Sequence, residues 1–198
     1  MFELPTAVDA SSVVGLVAVG AFTIQILLGL LVSVGYNPLR RWPRRRVKLF
    51  TLHNWLGYIA LAAALTHPLI LLLSATAGFT LFDIFVPISA PTQPFESTFG
   101  AIALYLVVIV VWTSYFRRLF AHHTWKRLHY LSYVAATMFF VHGLIEDPNL
   151  KNLPIDWIDA EKVYIEACAV LIVVATVFRF RARRGPRGVS RVRAAVRA

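Results

Sequence analysis

Five long apolar blocks leave this sequence few folds: Val13–Val34, Leu49–Leu73, Phe99–Phe116, Leu128–Ile145 and Val163–Phe178. A helix takes about 20 residues to cross a hydrocarbon core. Inside lipid its backbone amides and carbonyls must pair within the segment. The expected fold is therefore all-α, an integral membrane helical bundle of about five transmembrane helices, the last extended by a turn at each end. Composition agrees, with 58% hydrophobic and only 15% charged residues among 198, a balance unusual for a soluble domain. The first block does not read as a cleavable signal peptide, since Glu3 and Asp9 precede it and no Lys or Arg does. One cysteine, Cys168, excludes an internal disulfide and a four-thiolate metal site, and reads as small apolar filler.

A net charge of +10 raises the question of nucleic acid. The positions of the charges argue against it. Arg40, Arg41, Arg44, Arg45, Arg46 and Lys48 lie between the first two blocks, and Arg117, Arg118, Lys126 and Arg127 between the third and fourth. A further run of arginines, Arg179 to Arg197, follows the fifth. The opposite side holds Lys151, Lys162 and all ten acids. Basic loops stay cytoplasmic, so the N-terminus is expected outside and the C-terminus in the cytoplasm of a multi-pass protein of a bacterial inner or plasma membrane.

Two outer loops are expected to be irregular. Ser74–Ser97 carries Pro87, Pro91 and Pro94, and its apolar stretch Leu81–Ile88 is too short to span. Glu146–Glu161 mixes Pro148 and Pro154 with carboxylates. Residues 1–182 read as one membrane domain and 183–198 as a basic cytoplasmic tail lying on the anionic leaflet or disordered. There is no tandem repeat. No GxGxxG run follows a strand, and no room remains for a flavin or nicotinamide fold, so no FAD or NAD(P) site is expected.

Ionisable side chains inside a membrane point to function. Well within the blocks these are His53 and His67 in the second and His129 and His142 in the fourth. His122 and His123 read as solvated residues of the basic inner loop. The buried pairs are 14 and 13 residues apart, or roughly 21 and 20 Å along a helix. Blocks two and four run the same way, so His53 and His129 fall near the inner surface and His67 and His142 near the outer. Two cross-helix pairs result, one above the other. Partners about 20 Å apart on one helix cannot share one copper or zinc ion. Two axial imidazoles make a haem iron six-coordinate and redox-active, and two stacked haems would carry electrons through the bilayer. A histidine that merely glues helices together is the plain alternative for any one of the four.

Imidazole tolerates burial when its second nitrogen finds an acceptor, and Thr66, Ser132 and Thr137 are candidates. Gly57, Gly143 and the alanines at 60, 62, 63 and 64 would give a flat macrocycle room. Pro68 is expected to loosen the helix around Ala64. Trp55, Phe139 and Phe140 could lie between the haems or simply fill the core, and Met138 reads as packing. One difficulty concerns angle. Fourteen residues return within about 40° of the same face, whereas thirteen leave about 140°. The fourth block must twist, bulge or use different rotamers.

The segments LHNWLGYIALAAALTHPLI (Leu52–Ile70) and WKRLHYLSYVAATMFFVHG (Trp125–Gly143) resemble the ferric reductase-like transmembrane domain of ferric reductases and NADPH oxidases. The resemblance covers roughly Arg41 to Arg181. It implies two haem b groups: an inner one on His53 and His129, an outer one on His67 and His142. It also implies that the 14- and 13-residue spacings both work. Those proteins usually carry a flavin and nicotinamide domain and often six helices. The chain is also similar to the haem-binding membrane subunit of periplasmic methionine sulfoxide reductase, though His53 is less expected there.

The expected function is transmembrane electron transfer from a separate donor, a cytosolic flavoprotein or membrane quinol, to an outer acceptor such as a redox protein or ferric ion. A quinone site is compatible with this. The alternatives are a stand-alone ferric reductase or oxygen-reducing oxidase at the outer haem, and a haem-free membrane scaffold or assembly factor. No nucleic-acid partner is expected. The acidic outer loops could attract iron or a basic protein, or be ordinary solvated loop charge.

Overall fold

The computed structural model describes residues 6–36, 48–151 and 153–184, with side chains as far as 181. Its regular structure, among the described residues, is helical: α1 (Ala7–Val34), α2 (Leu49–Ile70), α3 (Leu81–Phe85), α4 (Pro94–Tyr115), α5 (His122–His129), α6 (Leu131–Ile145) and α7 (Ala160–Arg184). Short 3₁₀ turns occupy Leu71–Leu73, Pro87–Ser89 and Arg117–Leu119. Five segments are long and apolar enough to cross a membrane: Ala7–Val34, Leu49–Leu73, Pro94–Tyr115, His122–Ile145 and Ala160–Arg181. The five-span reading holds. Arg40, Arg41, Arg44, Arg45, Arg46 and the tail from 185 onward lie outside the described residues.

Local chemistry moves several boundaries away from the edges of the apolar blocks. Helix α1 starts at Ala7, ahead of Val13, because Thr6 and Asp9 form a reciprocal capping box. It stops at Gly35, whose φ of 66° closes the helix with amide bonds back to Leu31 and Val32. Helix α4 begins at Pro94 rather than Phe99, with proline in the first turn after Gln93 at φ 48°. Helix α2 stays regular past Ala64 and through Pro68, and tightens to 3₁₀ winding only at Leu71. The loop stretch around Leu81 forms the short α3, capped by Thr80 and Asp83.

The fourth span is not one straight helix. It breaks at Tyr130, whose amide bonds to both Lys126 and Arg127 carbonyls, and Tyr133 then bonds back to Tyr130. Such i→i−3 winding is tighter than α, so the straight-helix angle between His129 and His142 no longer applies. His122 and His123 open α5 instead of lying in a loop, though both remain exposed.

Small residues let the helices meet closely. Ala103 and Ala135 are completely enclosed. Around them Val19, Phe22, Ile26, Val107, Phe140 and Ile165 build the central core, with Cys168 packed against it. Phe139 packs against Phe22 with tilted rings, centres 6.0 Å apart, whereas Trp55 is 65% exposed on the outside of the bundle. The main packings are α1 along α2, α4 along α6, and α7 leaning on α1 and α6.

Candidate functional site

The four histidines meet as two pairs. His53 of α2 faces His129 at the end of α5, ring centres 6.1 Å apart and planes at 67°. His67 faces His142 of α6, at 6.3 Å and 70°. Inner meets inner and outer meets outer, so α2 and the α5–α6 span run parallel. Two imidazoles facing across one metal, with bonds of ~2 Å each, would have ring centres roughly 6 Å apart. Both pairs meet that spacing.

Each ring is held from behind. His53 Nδ1 donates to the Gln25 carbonyl at 3.1 Å, and His67 Nδ1 to the Ser11 carbonyl at 2.7 Å. His142 Nδ1 donates to the Glu96 carbonyl at 2.9 Å. His129 Nδ1 meets a hydroxyl instead, Ser114 Oγ at 3.2 Å. With Nδ1 engaged, Nε2 is the nitrogen that would face a metal; His53 Nε2 meets the Gln25 side-chain amide at 3.4 Å, and His142 Nε2 the Glu146 carboxylate. The support therefore comes from α1 and α4. Thr66 and Thr137 hydroxyls instead bond their own helices, at Ala62 and Tyr133, as threonines in helices commonly do. Ser132 lines the inner cavity.

Gly57 lines the cavity at the His53 pair and Gly143 the one at the His67 pair, and both also sit at close helix contacts. A Cβ on Gly57 would meet the Gln25 side chain at 2.9 Å, and one on Gly143 would meet Ile165 at 3.0 Å. Gly15, Gly29 and Gly100, which the sequence reading passed over, are the ones that lie against imidazoles.

The inner pair opens on a cavity of about 700 Å³, within the few-hundred to thousand Å³ range of cofactor pockets. Phe22, Val107, Val111, Tyr133 and Trp125 contribute to its wall, and Arg117, Arg118, Lys126 and Arg179 bring positive charge. Trp125 stacks on His129, ring centres 5.3 Å apart at 26°, and His122 adjoins Trp125 at 5.7 Å. The buried Trp125 Nε1 and Arg179 Nε have no hydrogen-bond partner. Unsatisfied buried donors call for an acceptor, and haem carboxylates are of the right kind. The donor set, spacing and space of the inner site fit haem.

The outer pair has the same two imidazoles in an enclosure of only about 70 Å³. Glu146 Oε2 lies 2.9 Å from His142 Nε2, so three ligand atoms from His67, His142 and Glu146 gather within 4.8 Å of one another. Lys162, buried, donates to the Gly143 and Glu146 carbonyls at 2.8 and 2.5 Å, capping α6. Here the donors and their spacing fit haem, while a macrocycle needs Glu146 to leave the nitrogen and the wall to open.

Most outer carboxylates build the loops. Asp147 accepts the amides of Asn149, Lys151 and Leu153. Asp156 accepts the Ile158 amide, Asp159 the Ala160 amide, and Glu161 the Ser12 hydroxyl. Asp83 accepts the Thr80 hydroxyl and amide, which hold its carboxyl below the ordinary carboxylate range. These partners favour ordinary loop construction over iron capture.

A comparison with curated proteins and with solved structures finds no match. Residues 14–140 match the family profile described as ferric reductase like transmembrane component. That stretch contains His53, His67 and His129 and ends just before His142. It covers well over half of the chain and places the family resemblance on α1 to α6. The chain is a multi-pass membrane protein belonging to the ferric reductase-like transmembrane component family.

Proposed function

We propose that this protein conducts electrons across the membrane through two haem b groups, one on His53 and His129 and one on His67 and His142. The observation that carries the reading is the pair of cross-helix imidazole contacts with ring centres 6.1 and 6.3 Å apart. Haem bound at such a pair supplies an iron that alternates between ferric and ferrous states, one electron at a time. The residues do the rest. The two histidines of each pair would both hold the iron, which would leave it no open site for small ligands. Phe22, Val107 and Tyr133 keep water from the inner site. Trp125 Nε1 and Arg179 Nε would hold carboxylates at its edge.

The inner site is the cytoplasmic one, because Arg117, Arg118 and Lys126 border it and basic loops stay inside. That orientation sets the N-terminus outside, with residues 1–182 forming the haem-binding domain and 183–198 a cytoplasmic tail. A separate flavoprotein or quinol delivers electrons at the inner face, and an outer redox protein or ferric ion receives them. The chain thus acts as the membrane subunit of an oxidoreductase.

The test is haem quantification with oxidised and dithionite-reduced spectra on the wild type, His67→Ala and His129→Ala. Two b haems per chain, with one lost in each variant, is the expected result. No haem after haem-replete expression would overturn the reading and leave a membrane scaffold. A second reading has its own observation. The His67, His142 and Glu146 cluster is a two-histidine, one-carboxylate donor set suited to a single transition-metal ion. One haem plus one chain-bound metal ion, lost together with His67, would favour it.

A further inference from the structure

We infer that Gly15, Gly29 and Gly100 are positioning residues for the axial imidazoles, each holding one ring by a notch in the neighbouring helix. This inference rests on the haem reading above and goes one layer beyond the ligands.

Three independent contacts repeat one geometry. His67 donates to the carbonyl of Ser11, and Gly15 lies four residues on along α1. His53 donates to the carbonyl of Gln25, and Gly29 lies four residues on. His142 donates to the carbonyl of Glu96, and Gly100 lies four residues on along α4. In a helix, the residue four positions on donates its own amide to that same carbonyl. Its side chain covers the turn on its N-terminal side, where that carbonyl sits. A Cβ there would stand in the path of an incoming ring. The close approaches agree. A Cβ at Gly15 would come within 2.9 Å of His67 Nδ1, and one at Gly29 within 3.1 Å of His53 Cε1. One at Gly100 would come within 2.9 Å of His142 Cε1. Glycine thus lets one carbonyl accept both the helix amide and the imidazole.

The fourth histidine departs from the pattern. His129 is backed by the Ser114 hydroxyl, and among the described residues no glycine lies against it. A side-chain hydroxyl reaches out to the ring, so no backbone approach is needed. The inner pair is therefore held by one carbonyl and one hydroxyl, and the outer pair by two carbonyls, with the Ser11 hydroxyl also 3.2 Å from His67 Nδ1. A carbonyl accepting from Nδ1–H makes the imidazole more electron-rich and favours the ferric state. Losing that bond favours the ferrous state at the affected site alone.

The test uses the full-length haem-loaded protein and its Gly15→Ala, Gly29→Ala and Gly100→Ala variants. Gly20→Ala, on the same helix as Gly15 and Gly29, is the control, since its Cβ would crowd the Tyr164 hydroxyl of α7 without touching an imidazole. The two haems are told apart by which signal His67→Ala and His129→Ala each remove. Redox titration followed by haem absorbance, with the ferric low-spin resonance spectrum, gives the readout. Gly29→Ala should lower the ferric-to-ferrous ratio of the inner haem about five-fold at fixed ambient potential, the loss of one hydrogen bond. Gly15→Ala and Gly100→Ala should do the same to the outer haem, and Gly20→Ala to neither. Loss of the matched haem with retention of the other also supports the inference. Variants that keep both haems with unshifted ratios and resonances would overturn it while leaving the haem reading intact. The same holds if Gly20→Ala shifts them equally. Wild-type protein without haem would overturn both.

Discussion

Asp147 should be worth about 3 kcal/mol to this fold, a figure that follows from three hydrogen bonds. Its carboxylate accepts the Asn149 amide at 3.0 Å, the Lys151 amide at 2.9 Å and the Leu153 amide at 3.0 Å. Bonds to a charged acceptor can reach 1.5–3 kcal/mol each, but about 1 kcal/mol apiece suits amides on exposed residues, which regain water when released. Asp147→Ala removes all three. Asp147→Asn keeps one accepting oxygen, which turns to the position facing Lys151 and Leu153 and loses the bond to Asn149, so about 1 kcal/mol is expected. The backbone pairing with Gln93, at 2.7 and 3.0 Å, survives in both. The assay is unfolding by SDS titration in mixed micelles, read by tryptophan fluorescence. Acidity adds a second check. Burial pushes the Asp147 carboxyl up, but the Leu153, Asn149 and Lys151 amides and the Lys162 ammonium pull harder, leaving it below the ordinary range. A depressed carboxyl stabilises fully above its unfolded pKa of about 4 and loses that contribution as pH falls through the lower folded value. An Asp147→Asn variant as stable as wild type at pH 7 would refute the hub, as would a wild-type/variant gap that fails to close on acidification.

Other outcomes follow from the site. Glu146→Ala frees His142 Nε2 from its 2.9 Å carboxylate contact and should tighten haem binding at the outer site about five-fold, the equivalent of one hydrogen bond. Equal or weaker binding in a haem titration of the apo-protein would count against that competition. Trp125→Ala removes the ring stacked 5.3 Å from His129 and should weaken inner-site haem binding about five-fold, at ~1 kcal/mol for an aromatic pair, with the outer site unaffected. Ala135→Leu forces a large side chain into a fully enclosed position and should cost about 3 kcal/mol in the same mixed-micelle unfolding assay. An unchanged midpoint would show that α6 is not tightly packed there.

The spans were legible in the sequence because lipid permits little besides continuous apolar helices, and all five blocks became helices. The histidine pairing was legible too, since axial rise depends only on residue count. Rotation around the axis was not. The break at Tyr130 rests on i→i−3 bonds that no local residue pattern announces. Helix starts were missed for a different reason. Thr6, Asp9, Gln93 and Pro94 end the hydrogen-bond ladder by capping chemistry, and hydropathy is blind to caps. The ring supports escaped because they are mostly backbone carbonyls, which every residue has. The available signal was a second 14-residue spacing, Gly15 to Gly29 on α1, matching His53 to His67 on the helix packed against it.

The distribution of those supports divides the chain in two. His53 and His67 on α2 are oriented by α1, and His129 and His142 by α4. Each hairpin therefore contains within itself the hydrogen bonds that aim its own pair of rings. Direct packing between α2 and α4 is slight beside that within each hairpin. Two polypeptides severed between α3 and α4 would each retain the hydrogen bonds that orient its own imidazoles. The molecule is in this sense a two-part mould, with the histidine pairs along the seam between its halves.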